Sequence, residues 1–93
     1  MTYHIIYHPD IAKEDLPGIP QNIKDTIRRA IETRLITQPY FVGEPLRQSL
    51  KGHRKLRVGD YRVIFRIQDD KIIVLKIGHR KEVYLKVFSR LSS

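Results

Sequence analysis

Residues 50–84 read LKGHRKLRVGDYRVIFRIQDDKIIVLKIGHRKEVY, and this stretch decides the fold. It contains three segments rich in β-branched and aromatic residues, which is the composition of β-strands. These segments are residues 54–58, 61–67 and 71–77. The connections Gly59-Asp60 and Asp69-Asp70 are typical of two-residue hairpin loops. The stretch therefore predicts a three-stranded antiparallel meander.

The residues before this stretch predict one strand and two helices. Residues 2–7 (TYHIIY) have a strand composition. A short helix is expected to follow and to end at Pro17-Gly18. A second helix begins near Pro20, because five apolar residues recur on one helical face. They are Ile23, Ile27, Ala30, Ile31 and Leu35. Together the two helices predict a helical hairpin.

The remaining segments predict a loop and a short terminal helix. Residues 38–45 contain two prolines and a glycine, so we expect a loop with Tyr40 and Phe41 packed beneath it. Apolar residues at helical spacing after residue 82 predict a short C-terminal helix, beyond which Ser92 and Ser93 should fray.

The element order β-α-α-β-β-β-α predicts an α+β fold in a single domain, residues 1–93. A small antiparallel sheet is expected to be backed on one face by the N-terminal helical hairpin. Its other face is expected to be open to a partner.

The charge of the chain is concentrated in its second half. Residues 1–46 contain five basic and six acidic residues, whereas residues 47–93 contain thirteen basic and four acidic residues. Such asymmetry suggests an anionic partner: nucleic acid, an anionic membrane surface or an acidic protein. A solvated basic surface is the alternative.

Several other classes of protein are disfavoured. The chain has no cysteine, which excludes disulfides and thiolate metal sites. Its N-terminus lacks a signal-peptide pattern, and no apolar run reaches about 18 residues. We therefore expect a cytoplasmic protein with no membrane partner.

Cationic side chains in the meander predict an anion-binding site. Because side chains alternate along a strand, His53, Lys55 and Arg57 share one face. A two-residue loop at Gly59-Asp60 would place Arg57 opposite Arg62, with Arg66 further along the same face. Like charges opposite one another destabilise a sheet. The pair would be stabilised if an anion such as phosphate bound between the two guanidiniums. Two alternatives are that acidic side chains neutralise the arginines, or that the arginine side chains point apart into water.

The residues that follow the last strand add further candidates. Arg80 can reach back over the sheet, and Tyr84 lies one helical turn later. Histidine is the side-chain type best suited to proton transfer near neutral pH, so His79 is a candidate for that role, although a lone histidine is more often structural. The spacing of histidines and acids suggests neither a metal site nor a cofactor.

One reaction needs only cations, a weak base and a stacking aromatic side chain. It is RNA cleavage by attack of a 2′-hydroxyl on the adjacent phosphate. Candidates for the required roles are Lys55, Arg57, Arg62, Arg80 and Tyr84. Crowded cations would lower the pKa of one another, which would make Lys55 a better base.

The pattern of residues 50–84 resembles the RelE/ParE toxin superfamily of bacterial and archaeal toxin–antitoxin systems. The blocks RVGDYRV and IGHRxxVY carry most of this resemblance. It implies a toxin like those of the RelE branch, which cut mRNA in the ribosomal A site without a metal or cofactor. It also implies a cognate antitoxin that wraps the toxin, with operator DNA bound only through the toxin–antitoxin complex.

The resemblance implies a role for each catalytic candidate. Lys55 would act as a base or stabilise charge, and Arg62 would bind the phosphate. Arg80 would stabilise the transition state and assist the leaving group. Tyr84 would orient the substrate or stack on it.

Around these residues, RNA or phosphate contacts are expected from His53, Arg57, Arg66 and His79. Some relatives have a further lysine where this chain has His53. Two alternatives stay open. ParE-branch toxins share the fold, poison DNA gyrase and generally lack the full catalytic set, and a non-catalytic nucleic-acid-binding relative would bind without cutting.

Overall fold

The computed structural model describes residues 2–91, so the expectation for Ser92 and Ser93 lies outside the described residues. Within this range the strands form one sheet in the order β1-β5-β4-β3-β2. The strands are β1 (His4–Tyr7), β2 (Glu44–Pro45), β3 (Arg54–Val58), β4 (Tyr61–Gln68) and β5 (Lys71–His79). The α-helices are α1 (Gln21–Ala30), α2 (Pro39–Val42), α3 (Val83–Lys86) and α4 (Phe88–Leu91). The predicted α+β class is confirmed.

The predicted meander forms from β3, β4 and β5, which are antiparallel neighbours. Val58 pairs with Tyr61 and Arg57 with Arg62, so the connection is the two-residue loop that the sequence predicts. Gly59 in this loop has a φ of 59°, a left-handed conformation that glycine adopts without a steric cost.

The sheet is mixed rather than antiparallel, which corrects the prediction. β1 pairs with β5 in parallel, with His4 opposite Lys71 and Tyr7 opposite Val74. The meander begins at β3, on the far side of the sheet, and ends at β5. β5 is therefore the strand that β1 can join, and the chain between them, which includes the helical hairpin and the first strands of the meander, is long enough for a parallel arrangement.

The helical hairpin covers one face of the sheet, as predicted. Its first part is a π-helical turn, Ile11–Asp15, followed by a 3₁₀-helical turn, Leu16–Gly18. Its second part is α1, which continues as a π-helical turn, Ile31–Leu35. Buried side chains from both parts pack on the sheet: Ile11, Ile27, Ile31 and Leu35 against Leu56, Val63, Phe65, Ile72 and Val74.

The second face of the sheet is partly covered, which corrects the expectation of an open face. Val83 and Val87, from the C-terminal segment, are fully buried and pack with Leu50, Ile64 and Leu75. The register of β4 and β5 shifts here, because Ile64 pairs with Lys76 while Phe65 pairs with Val74. The apolar side chains of Ile64 and Leu75 would otherwise be exposed, and their burial against α3 and α4 is favourable.

The segment predicted to be a loop contains α2 and β2, and its two aromatic side chains lie outside the core. Tyr40 is 61% exposed and Phe41 is 86% exposed. In α2 the buried Pro39 and the partly buried Val42 lie three residues apart and share the inner face. The two residues between them therefore point outward.

A buried charged cluster joins the two ends of the chain. The side chain of Asp15 is 1% exposed and accepts hydrogen bonds from Lys76 Nζ at 2.6 Å and from Arg90 Nη1 at 2.6 Å. We call these three residues the Asp15 cluster. Burial alone would raise the pKa of Asp15, but hydrogen bonds from Arg90, the Ile77 amide and Lys76 outweigh it and lower that pKa.

Replacement of Gly43 should destabilise the protein. A Cβ atom at Gly43 would lie 2.4 Å from Phe65 Cζ and 2.9 Å from the Pro39 carbonyl oxygen. Phe65 is fully buried and cannot move aside freely. We expect Gly43→Ala to lower the free energy of unfolding by about 1–3 kcal/mol, measured by chemical denaturation. Gly18→Ala is the matched control, since a Cβ there meets nothing within 4 Å. Equal effects of the two substitutions would contradict the crowding at Gly43.

Loss of the Asp15 carboxylate should destabilise the protein at neutral pH. Asp15→Asn leaves Lys76 and Arg90 buried without their anion, so we expect the free energy of unfolding to fall by about 3–5 kcal/mol. Because the folded-state pKa is lowered, the contribution of Asp15 is complete above the unfolded-state pKa of about 4 and is lost as the pH falls through the folded value. Denaturation at neutral pH and at about pH 3 should therefore show the gap between wild type and variant shrinking in acid. The exposed Asp70→Asn is the control, and a gap independent of pH would contradict this account.

Candidate active site on the sheet

Three cations lie on the sheet face that α3 partly covers. Lys55 and Arg57 project from β3, and Arg62 projects from β4 opposite Arg57. We call these three residues the basic strip. The predicted shared face and the predicted pairing of Arg57 with Arg62 are both confirmed.

Tyr84 lies beside the basic strip. Lys55 Nζ is 5.9 Å from the centroid of the Tyr84 ring, a cation–π distance. The ring packs with the buried cluster that holds α3 on the sheet. Two of the predicted catalytic residues, far apart in sequence, are therefore neighbours.

The guanidiniums of Arg57 and Arg62 have different partners, which corrects the expectation that they converge. Arg62 is 8% exposed, and its Nη1 donates to the carbonyl oxygens of Gly59 and Tyr61, each at 2.8 Å. Arg57 extends into solvent, with Nε 3.8 Å from Glu44 Oε1. Carbonyl oxygens of the tight turn thus hold Arg62, whereas Arg57 points toward Glu44 and solvent.

Glu44 is a member of the site that the sequence reasoning missed. It pairs with Lys55 across β2 and β3, and its Oε2 lies 3.8 Å from Lys55 Nζ. The carboxylate is half exposed and both contacts are long, so water and ions compete with them. Glu44 was missed because residues 38–45 read as a loop; proline, however, is compatible with an edge strand such as β2. Glu44 therefore partly neutralises Lys55 and Arg57, as the alternative of neutralising acids predicted.

Arg80 lies at the β3–β4 turn. Its amide donates to the Asp60 carbonyl oxygen at 2.9 Å, and its Nε is 4.0 Å from Asp60 Oδ1. The turn therefore brings Arg80 close to the carbonyl oxygens that bind Arg62. Arg80 and Asp60 are both largely exposed, so the guanidinium can be drawn toward a bound anion.

The remaining predicted residues are more scattered. His79 contacts the Tyr61 ring edge-on at 5.6 Å, and strand alternation places Tyr61 on the face opposite Arg62. Its Nδ1 accepts a hydrogen bond from the Lys81 amide at 3.2 Å. His79 therefore lies away from the basic strip.

His53 and Arg66 flank the basic strip along the strands. His53 immediately precedes β3 and is half-buried, with a buried Nδ1 that has no hydrogen-bond partner among residues 2–91. Arg66 is exposed on β4 and lies on the face of Arg62. Within residues 2–91, no hydrogen bond, ion pair or ring contact joins either residue to Tyr84.

Two kinds of structure are absent from residues 2–91. No group of three or more histidine and acidic side chains is arranged to hold a metal ion. No helix in this range is long and apolar enough to cross a membrane.

The arrangement suits recognition of a phosphate flanked by a base. Lysine and arginine form strong charge-assisted hydrogen bonds with phosphate oxygens, and an aromatic ring offers a stacking surface for a nucleobase. The basic strip and Tyr84 supply both within one face of the sheet.

Comparison with known proteins places the chain in a family. Residues 5–84 match the family described as "ParE toxin of type II toxin-antitoxin system, parDE". The chain belongs to the RelE/ParE toxin superfamily. Among curated relatives, toxin RelG of Mycobacterium tuberculosis is 33% identical over 75 residues, which is 78% of this chain and 86% of RelG. Toxin RelE of the same organism is 31% identical over 84 residues, which is 88% of this chain and 86% of that toxin.

Solved structures of this superfamily share the fold. The crystal structure of the toxin–antitoxin complex RelBE2 from Mycobacterium tuberculosis matches with a TM-score of 0.79 at 29% identity, covering 86% of this chain and 100% of the matched chain. The free Escherichia coli toxin RelE, an arginine-to-alanine double mutant, matches with a TM-score of 0.77 over 99% of this chain and 96% of RelE. At 14% identity the second likeness concerns the fold alone.

Proposed function

We propose that this RelE-family toxin of a type II toxin–antitoxin system is an mRNA endonuclease that acts in the ribosomal A site. The observation that carries the proposal is the contact between Lys55 and Tyr84 beside the other cations of the basic strip. Residues from β3, β4 and α3 converge on one sheet face, as a phosphate with an adjacent base requires.

The proposed reaction is attack of a 2′-hydroxyl on the neighbouring phosphorus. The hydroxyl gives up its proton, the new O–P bond forms, and the bond to the 5′ oxygen breaks. The products are a 2′,3′-cyclic phosphate and a 5′-hydroxyl that has gained a proton. The transition state carries extra negative charge on the phosphate oxygens, so preorganised cations lower the barrier.

The role proposed for each residue is the one that the resemblance implies, and its place in the structure supports it. Lys55 takes the proton or stabilises charge, and the Tyr84 ring stacks on or orients a base. Arg62, held by the turn carbonyls, is a preorganised charge for the phosphate. Arg80, which is exposed at the same turn, moves onto the phosphate and stabilises the leaving oxygen.

Glu44 serves in this proposal as an internal counter-ion. Its carboxylate lies near the cations that a phosphate would contact. Bound RNA would displace it, and the cations would exchange one anion for another. The resting site thereby avoids strong repulsion between Lys55 and Arg57.

We further propose that the partners are those of a type II toxin. Because RelBE2 is a toxin–antitoxin complex with the same fold, we expect a cognate antitoxin for this chain. Operator DNA would be bound only through that complex, and the toxin would act in the cytoplasm. A ParE-like toxin that poisons DNA gyrase is the second candidate, because the matching family is described as ParE.

Removal of the Arg80 guanidinium should abolish toxicity without unfolding the protein. Arg80 is exposed and its contact with Asp60 is long, so Arg80→Ala should change stability little. We expect cleavage to fall about a hundredfold or more, measured by primer extension across a translated message after induction. Arg28→Ala on α1 is the control, because it removes an equally exposed arginine that pairs with Asp25.

Two outcomes of this experiment would contradict the proposal. One is a folded Arg80→Ala protein that still cuts the message and arrests growth. The other is a wild-type protein that leaves mRNA intact while DNA replication stops, which would favour gyrase as the target.

Removal of the Glu44 charge should strengthen RNA binding. Glu44→Gln removes the anion with which RNA competes, so we expect A-site mRNA carrying a 2′-deoxynucleotide at the cleavage position to bind about two- to fivefold more tightly. The effect should shrink as salt concentration rises. Glu32→Gln, an exposed change on the helical hairpin, is the control. Weaker binding of the Glu44→Gln protein would show that Glu44 is not a competing anion.

A further inference from the structure

The edge of β5 is uncovered beyond the end of β1. The parallel pairing stops with Tyr7 opposite Val74, and the His8 amide donates to the Val74 carbonyl oxygen at 2.8 Å. From residue 75 onward, no strand within residues 2–91 lies on this side of β5. The backbone groups on this edge need other partners, because buried polar groups without hydrogen bonds are costly.

Side chains of the Asp15 cluster supply those partners. Asp15 Oδ2 accepts a hydrogen bond from the Ile77 amide at 2.9 Å, and Arg90 Nη1 donates to the Leu75 carbonyl oxygen at 3.1 Å. Arg90 also binds both carboxylate oxygens of Asp15, at 2.6 and 2.9 Å. This bidentate geometry fixes direction as well as distance.

The C-terminal helices depend on tertiary contacts to hold them in place. α3 and α4 have four residues each, too short to be stable without tertiary contacts. Leu85 is 80% exposed and Phe88 is 47% exposed, so their contribution to packing is small. Lys86 and Glu82 form an exposed pair at 3.9 Å. The most deeply buried side chains of this segment are those of Val83, Val87 and Arg90, and Arg90 is 4% exposed.

We infer that Asp15 and Arg90 are positioning residues that hold Tyr84 against Lys55. Arg90 lies six residues after Tyr84 on the same short segment, and its bond to Asp15 ties that segment to the first helical turn and to β5. Without this bond the segment is held by its apolar contacts with the sheet, and the Tyr84 ring gains freedom to leave Lys55. The inference rests on the proposed function for its catalytic consequence and on geometry alone for its structural part.

A cycle of variants tests whether Arg90 acts through Tyr84. We expect Arg90→Gln to lower the kcat of mRNA cleavage on programmed ribosomes about tenfold while KM changes less than twofold, since a small misplacement of a catalytic group is costly. In a Tyr84→Ala background, which removes the ring, Arg90→Gln should lower kcat less than twofold further, because coupled residues are not additive. Lys86→Gln is the matched control, as it removes an exposed cation from α3.

NMR of the free toxin tests the structural part without RNA. In the wild type we expect contacts between the Lys55 side chain and the Tyr84 ring, and in Arg90→Gln we expect them to weaken. Arg90→Lys keeps the charge but loses the bidentate geometry, so it should be intermediate in both readouts. If Arg90→Gln does not fold, Arg90→Lys alone carries the comparison, because it keeps a cation next to Asp15, and it should still weaken the contacts between Lys55 and Tyr84.

The outcomes separate this inference from the proposed function. Unchanged Lys55–Tyr84 contacts in the Arg90 variants, or an equal loss of kcat with and without Tyr84→Ala, would overturn the positioning role. A wild-type protein that cuts no message would overturn the proposed function, and the NMR comparison would still decide whether Arg90 positions Tyr84.

Discussion

A carboxylate removed from water is the constraint on which the rest of this structure depends. The Asp15 side chain is 1% exposed, and an unpaired charge at such a site would be prohibitively costly. Lys76, Arg90 and the Ile77 amide must therefore all be in place when the protein is folded. Because these groups come from β5 and α4, one ionised group fixes the N-terminal turn, the sheet and the C-terminal segment relative to one another.

The elements that could be predicted from the sequence are those specified locally. Gly59-Asp60 sets both the turn and the register of β3 and β4, and the apolar stripe of α1 specifies which helical face is buried. Three features depend on contacts between distant residues, which the local pattern of apolar residues does not reveal. They are the parallel direction of β1, the presence of β2 and the packing of the C-terminal segment on Ile64. The prediction that Phe41 packs beneath a loop was wrong. A loop has no regular buried face, so the outward direction of Phe41 follows only from its position in α2.

For the candidate site, the sequence predicted positions better than side-chain directions. Strand alternation and the turn place Lys55, Arg57 and Arg62 on one face. They do not reveal that the carbonyl oxygens of Gly59 and Tyr61 bind the Arg62 guanidinium, or that Glu44 faces Lys55 from a two-residue strand. Both facts change the physical interpretation, since the cations are already stabilised before any substrate binds. The excess of positive charge remains, but Lys55, Arg57 and Arg62 already have acceptors within the protein.

Partial cover of the second sheet face explains why the site lies where it does. The sheet supplies rigid cations, whereas the aromatic ring comes from the helical cover, and the two meet only at the border between β3 and α3. A fully open face would lack Tyr84, and a fully covered face would leave no room for a nucleotide. The position of this border depends on how far α3 and α4 extend over the sheet. The Asp15 cluster helps to set the position of these helices, because Arg90 forms hydrogen bonds with Asp15 and with the Leu75 carbonyl oxygen near the other edge of the sheet. On the proposed function, the geometry of the site therefore depends in part on an ion pair that bound RNA would not contact.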